Sequence, residues 1–269
     1  MRVLRAVRDL LIPAKCVACG KTLLCDEEHL CLDCLADMPL TYFWTTPHNK
    51  MADAFNGLIQ SSLPEDAPYQ HYSKAPALFY YQGEYEKHTR AVKYGGDAPL
   101  GIWLGRMLGR RLRDAGFAGA ALAAGQARGP LTEAAKAPAL PPVTAVVPVP
   151  LHWRRRWKRG YNQAELAARG VAEEIGAPLR TDILKKVRST STQTKLSQQE
   201  RLANVASAFR AIPLPAQTLP NGTAAPHILL IDDVFTTGST LFSARQAILD
   251  ANKAASAPII SVATLAYAQ

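Results

Sequence analysis

The chain predicts an α/β fold, a doubly wound and mostly parallel sheet, and three observations lead there. Strand-length apolar runs alternate along the sequence with segments of helical period. The run Ile228-Leu229-Leu230-Ile231 has no polar alternation, as expected of a strand buried on both faces of a parallel sheet. At 269 residues, the chain has room for one α/β domain of about 180–200 residues and a small appendage.

The elements follow in order. Residues 1–13 alternate Arg with Val and Leu, which predicts an amphipathic helix. Its apolar run is too short for a signal peptide and has no small-residue cleavage site, so a cytoplasmic location is expected. Residues 41–75, with Pro47, Pro64 and Pro68, read as irregular connection. A short strand is expected over 77–81 and a helix over 84–94, stopped by Gly95-Gly96. A longer helix spans 99–114, with Leu100, Leu104, Leu108 and Leu112 on one stripe. Residues 115–142 are rich in Ala, Gly and Pro and read as a surface insertion.

A second strand is expected over 143–149, followed directly by Arg154, Arg155, Arg156, Lys158 and Arg159. The next helix, 161–175, turns Ala164, Ala168, Val171 and Ile175 inward. A strand is expected over 182–188, and Ser197-x-x-Glu200 is a capping box that starts a helix through Val205. Residues 211–226 carry four prolines and Asn221-Gly222, and read as a loop or loose hairpin. The strand beginning at Ile228, a helix over 241–249 and a strand over 259–266 complete the pattern. No internal repeat is visible, and no apolar stretch approaches the roughly 20 residues that cross a bilayer, so no membrane insertion is expected.

All five cysteines lie between residues 16 and 34. Cys16-x-x-Cys19 and Cys31-x-x-Cys34 are two knuckles that together suit tetrahedral structural Zn²⁺. Four thiolates leave no open coordination position, so the metal is expected to supply folding energy rather than chemistry. Cys25 and His29 lie between the knuckles and are read as a spare thiol and a solvated histidine. The net charge of +9, from 31 basic and 22 acidic residues, suits phosphate-bearing ligands or nucleic acid.

The chemistry concentrates at Asp232-Asp233-Val234-Phe235-Thr236-Thr237-Gly238-Ser239-Thr240. In an open α/β sheet, ligands bind beyond the carboxyl ends of strands. Thr236, Thr237, Gly238, Ser239 and Thr240, leading into a helix, offer hydroxyls, backbone N–H groups and a positive dipole end to a phosphate. The paired acids Asp232 and Asp233 would accept hydrogen bonds from sugar hydroxyls or hold Mg²⁺. No Gly-Lys-[Ser/Thr] follows, so this is not a Walker A loop. The Arg-rich stretch leaves the carboxyl end of another strand and would grip a pyrophosphate. Lys93 is a second candidate for that role, and Trp153 and Trp157 among the arginines suit stacking on single-stranded bases and equally suit anchoring the loop to the core.

The acidic pair and its loop resemble the phosphoribosyl-pyrophosphate (PRPP) motif of type I phosphoribosyltransferases. Adding the double-Cys-x-x-Cys ribbon, Lys93-Tyr94-Gly95, Val147-Pro148-Val149-Pro150-Leu151-His152, Arg159-Gly160-Tyr161-Asn162-Gln163, Arg188-x-Thr190-x-x-Gln193 and Arg201-x-x-Asn204-Val205 with Phe209, in this order, the chain resembles the ComF family. Cys25, the insertion at 115–142 and the loop at 211–226 depart from that pattern, between the motifs.

The resemblance implies a type I phosphoribosyltransferase-like domain over 77–269 and an N-terminal helix and zinc ribbon over 1–40. It implies a bacterial cytoplasmic protein tied to DNA uptake in natural transformation, or in some members to sugar-acid metabolism. Asp232 and Asp233 would hold the ribose hydroxyls and residues 236–240 the 5′-phosphate. Lys93, Arg154, Arg155 and Arg159, with Mg²⁺, would meet the pyrophosphate. One implied activity is phosphoribosyl transfer to an acceptor that the motifs do not name. The other is a non-catalytic module that senses PRPP or a nucleotide and contacts single-stranded DNA or a DNA-uptake helicase through the zinc ribbon and the basic loop.

Overall fold

The computed structural model describes residues 14–66, 73–83, 98–119, 141–151, 160–187, 208–214, 225–253 and 257–268. The expected helices at 1–13, 84–94 and 197–205, and most of the 115–142 and 211–226 segments, lie outside them.

The described helices are α1 (Leu32–Ala36), α2 (Lys50–Gln60), α3 (Ala98–Asp114), α4 (Gln163–Ile175) and α5 (Ser239–Ala251). The strands are β1 (Ala77–Tyr80), β2 (Val143–Pro148), β3 (Leu184–Lys186), β4 (Phe209–Ala211), β5 (His227–Phe235) and β6 (Ile259–Tyr267). Four strands form a parallel sheet in the order β1-β6-β5-β2.

The central strand β5 is apolar on both faces because both faces are covered. Leu229 and Ile231 join Val146, Ala263 and Leu265 in a cluster roofed by α3 and α4. Ile228 and Leu230 join Ala145, Val147, Ile260 and Val262 in a second cluster, roofed by α2 and α5. The leucine stripe of α3 and the inward positions of α4 are buried as expected. These two helices pack closely, since a Cβ on Gly105 or Gly170 would run into the backbone of Ala167 or Ile102. Arg106–Glu173 at 2.7 Å and Arg110–Glu174 at 3.1 Å tie their exposed flanks.

Helix α2 corrects the reading of 41–75 as irregular throughout. Its prolines flank the helix rather than interrupt it. Asn49 caps it by accepting from Ala52 N–H at 2.9 Å, and Met51, Phe55 and Ile59, at four-residue spacing, face the core. The strand expected at 182–188 is shorter and is not part of the main sheet. It is β3, paired antiparallel with β4 in a two-stranded ribbon.

Both edges of the main sheet are hydrogen-bonded to non-strand segments. On β1, Thr41 N–H donates to Leu78 O at 3.1 Å and Tyr80 N–H to Pro39 O at 2.8 Å. On β2, Val146 N–H donates to Pro178 O and Arg180 N–H to Val146 O, each at 2.9 Å.

Candidate ligand crevice and metal centre

Among the described strands, the topology makes a switch point between β2 and β5. From the end of β2 the chain crosses to α4, on one face of the sheet, and from the end of β5 it enters α5, on the other. These two strands are parallel neighbours, so their carboxyl ends diverge at a topological switch point, where open α/β sheets bind ligands.

The register runs to Pro148 opposite Ile231, and Val149 N–H donates to Ile231 O at 2.8 Å. The chain therefore leaves β2 level with Asp232. Asn162, at the start of α4, donates its Nδ2 to Val149 O at 3.0 Å and fastens the helix to the strand end. It belongs to Arg159-Gly160-Tyr161-Asn162-Gln163, and its hydrogen bond to Val149 O is what shows this positioning role.

Asp232 and Asp233 are half-buried within β5 rather than solvent-facing beyond it. Asp232 Oδ1 accepts from Asp233 N–H at 2.9 Å, and Asp233 Oδ1 from Val234 N–H at 2.8 Å. These bonds fix both carboxyl groups to the strand. Thr236, Thr237 and Thr240 are exposed, and Ser239 is half-buried. Thr237 Oγ1 and Ser239 Oγ lie 3.0 Å apart. Gly238 is buried at the N-cap of α5 in the left-handed region, φ 75°, and as a glycine it has no side chain with which to cap the helix. Its first turn thus presents backbone N–H groups beside the threonines.

A further feature was invisible in the sequence. Phe235, Tyr267 and Tyr80 align across β5, β6 and β1 and, with Phe43, form an aromatic row at the carboxyl ends of these strands. Burial, with Tyr80 nearby, raises the Tyr267 phenol above its ordinary value. Only strand register shows the row, because the residues are scattered along the chain. Lys93, Arg154, Arg155 and Arg159 lie outside the described residues, as do Arg188, Thr190, Gln193, Arg201 and Asn204.

The metal centre is built by two tight turns. Gly20, at φ 76°, closes the first, with Gly20 N–H donating to Cys16 O at 2.9 Å and Cys16 N–H to Lys21 O at 2.7 Å. The second runs from Cys31 into α1, which carries Cys34. The sulfur atoms of Cys16, Cys19, Cys31 and Cys34 all lie within 4.8 Å of one another, Cys19 and Cys31 at 3.6 Å. A tetrahedral zinc with bonds of about 2.3 Å requires sulfur separations of about 3.8 Å, so the set fits that ion. Burial acts to raise the Cys16 thiol, but backbone N–H groups of Cys19, Cys31 and Ala18 outweigh it and bring it down to about 6. Such donors favour the thiolate that a metal needs.

Cys25 is exposed and outside this group. His29 is outside it too, but it is not simply solvated: it is half-buried, with its ring 5.8 Å from that of Trp103 on α3. Val17, Leu23 and Leu35 extend the contact with the α3 and α4 side of the core. Among the described residues, no helix is long and apolar enough to cross a membrane.

No family model matches the chain. It is 39% identical over 110 residues to the DNA utilization protein YhgH of Salmonella typhi, a match spanning 41% of this chain and 45% of that protein. It is 40% identical over 97 residues to Competence protein F of Haemophilus influenzae, spanning 36% and 40%. To Competence protein ComFC of Bacillus subtilis it is 33% identical over 111 residues, spanning 41% and 40%. Each match therefore covers less than half the length of the curated relative. With the four-cysteine cluster in place, these similarities bear out the resemblance carried by the motifs: over part of its length the chain is similar to proteins named for competence and DNA utilization.

Proposed function

We propose that the crevice between the ends of β2 and β5 binds PRPP or a related phosphoribosyl ligand with Mg²⁺, in a cytoplasmic protein that serves DNA uptake. The observation that carries this is the half-buried acid pair at the switch point, followed by a glycine, Gly238, at the N-cap of α5. The ribose 2′- and 3′-hydroxyls donate to Asp232 and Asp233. The 5′-phosphate takes the hydroxyls of Thr236, Thr237, Ser239 and Thr240 and the N–H groups of the first turn of α5.

In a transfer reaction the bond from the anomeric carbon to pyrophosphate breaks as the acceptor's bond forms, and the carbon becomes cationic between them. The protein's contribution is electrostatic: Lys93, Arg154, Arg155 and Arg159 stabilise the departing pyrophosphate, and the aspartates hold the ring. Mg²⁺ held by the ligand supplies further neutralisation of the pyrophosphate. A second reading keeps the ligand site without turnover, with PRPP or a nucleotide as a signal to a module that contacts single-stranded DNA or a DNA-uptake helicase. The printed names of the relatives, DNA utilization and competence, support it.

Calorimetric titration with PRPP and Mg²⁺ tests the site. Asp232→Asn with Asp233→Asn should keep the fold and weaken PRPP about a hundredfold or more, at roughly 1.5–3 kcal/mol for each charge-assisted hydrogen bond. Unchanged affinity in a folded double variant would overturn the assignment. Release of pyrophosphate with a panel of acceptors separates the transferase from the sensor.

A further inference from the structure

We infer that the β3–β4 ribbon is a contact surface for the phosphodiester backbone of a nucleic acid strand, and that the cysteine ribbon is not. The inference rests on the DNA-handling part of the proposed function and adds where the strand is held.

In the ribbon, Leu184 and Phe209 are buried against the α5 side of the core, and Lys185 stands directly opposite Arg210, both exposed. Directly opposed like charges destabilise an antiparallel pair. Carboxylates elsewhere offset many exposed cations: Arg106, Arg110, Arg113 and Lys253 each have one within 4.0 Å. Lys185 and Arg210 have none within ion-pair distance among the described residues. The acid nearest in sequence, Asp182, is held by both Arg180 Nε and Nη2 at 2.8 Å, which, with a smaller effect from the charge of Lys185, keeps its carboxyl down at about 2. Lys186 Nζ lies 5.1 Å from the centre of the Phe209 ring, so a third cation belongs to the same ribbon.

The wider sequence points the same way. Residues 152–210 contain thirteen basic and five acidic residues, and so carry eight of the nine net positive charges of the chain. Two of those acids, Glu173 and Glu174, are engaged by arginines of α3. The cysteine ribbon has the opposite character. Residues 14–40 hold five acids, Asp26, Glu27, Glu28, Asp33 and Asp37, against Lys15 and Lys21, and Lys21 is paired with Asp33 at 2.8 Å. A polyanion would be repelled there and drawn to β3 and β4, where its phosphates offset the opposed charges of Lys185 and Arg210.

The test is fluorescence anisotropy of a labelled thirty-nucleotide oligothymidine, with a duplex of equal length alongside, as a function of salt. Lys185→Gln with Arg210→Gln should weaken binding at least about tenfold at 50 mM salt and make the single-strand salt slope shallower by about 1.4, two phosphates at roughly 0.7 each. Lys185→Arg with Arg210→Lys, which keeps the charge, should bind as the wild type does. Lys50→Gln with Arg169→Gln removes the same charge elsewhere and should have a smaller effect. A loss common to strand and duplex supports backbone contact. The placement is overturned if the first variant, with unchanged melting, keeps wild-type affinity and slope, or if either other pair loses as much. Displacement of the oligonucleotide by polyglutamate at equal charge concentration would overturn the nucleic-acid assignment. Wild-type protein that binds neither nucleic acid would overturn the inference and the DNA-contact reading together, while PRPP titration by the same preparation reports separately on the crevice.

Discussion

Gly238 meets two demands that no other residue satisfies together. Its backbone is left-handed, and an added Cβ would stand 2.7 Å from Phe235 Cζ and 3.0 Å from Leu58 Cδ1. Gly238→Ala should cost about 1–3 kcal/mol in urea unfolding, and it should weaken phosphate binding by shifting the start of α5. His227 is a residue of another kind. It is fully buried in β5, with Nδ1 2.9 Å from Pro141 O and Nε2 3.0 Å from Ser261 Oγ. Burial lowers its pKa, and the charge of Lys74 lowers it further. The unfolded chain therefore takes up this proton first. The stabilisation is complete above the unfolded value of about 6.5 and is lost as pH falls from there through the folded value. Between pH 7.5 and 5.5 the urea midpoint of the wild type should fall further than that of His227→Gln, and equal falls would assign the pH dependence to other groups. Gly238 was legible in the sequence, since a glycine before a helix after a strand marks a turn. His227 was not, because a histidine beside an apolar run has no signature until its neighbours are placed.

At the scale of elements, the cysteine ribbon tests most directly. Serine at Cys16, Cys19, Cys31 or Cys34 should each reduce bound zinc in elemental analysis of untagged protein, and Cys25→Ser should leave it unchanged. A disulfide within the set, or zinc lost with Cys25, would refute the ligand assignment. Because a structural zinc contributes folding free energy, chelation should lower the melting temperature as well as the metal content. The ribbon was legible because ligand spacing is a local property. Helix α2 was not foreseen because its flanking prolines dominated a reading by composition, although Met51, Phe55 and Ile59 already kept helical spacing. Strand β3 falls within the strand expected over 182–188, but β4 is three residues, too short for periodicity to declare it, and only the pairing shows that the two form a ribbon apart from the main sheet.

At the scale of the molecule, the alternation of strand and helix carried the fold class, and the uninterrupted apolar run of β5 carried its central position. Strand order was not legible. The neighbourhood of β2 and β5, which brings the end of one strand level with the acid pair of the other, depends on contacts between residues about 80 positions apart along the chain. That neighbourhood predicts a division of labour. Neutralising Arg154, Arg155, Arg156, Lys158 and Arg159 together should weaken PRPP much more than ribose 5-phosphate, and equal weakening of both ligands would place the cations elsewhere. The backbone bonds from Pro39 and Thr41 to β1 carry a separate consequence. The segment that occupies this sheet margin begins only a few residues after Cys34, so a zinc held by the four cysteines would also guard solubility. A protein stripped of zinc should expose a strand template to its own copies, and light scattering should rise with time in the chelated sample well below its melting temperature.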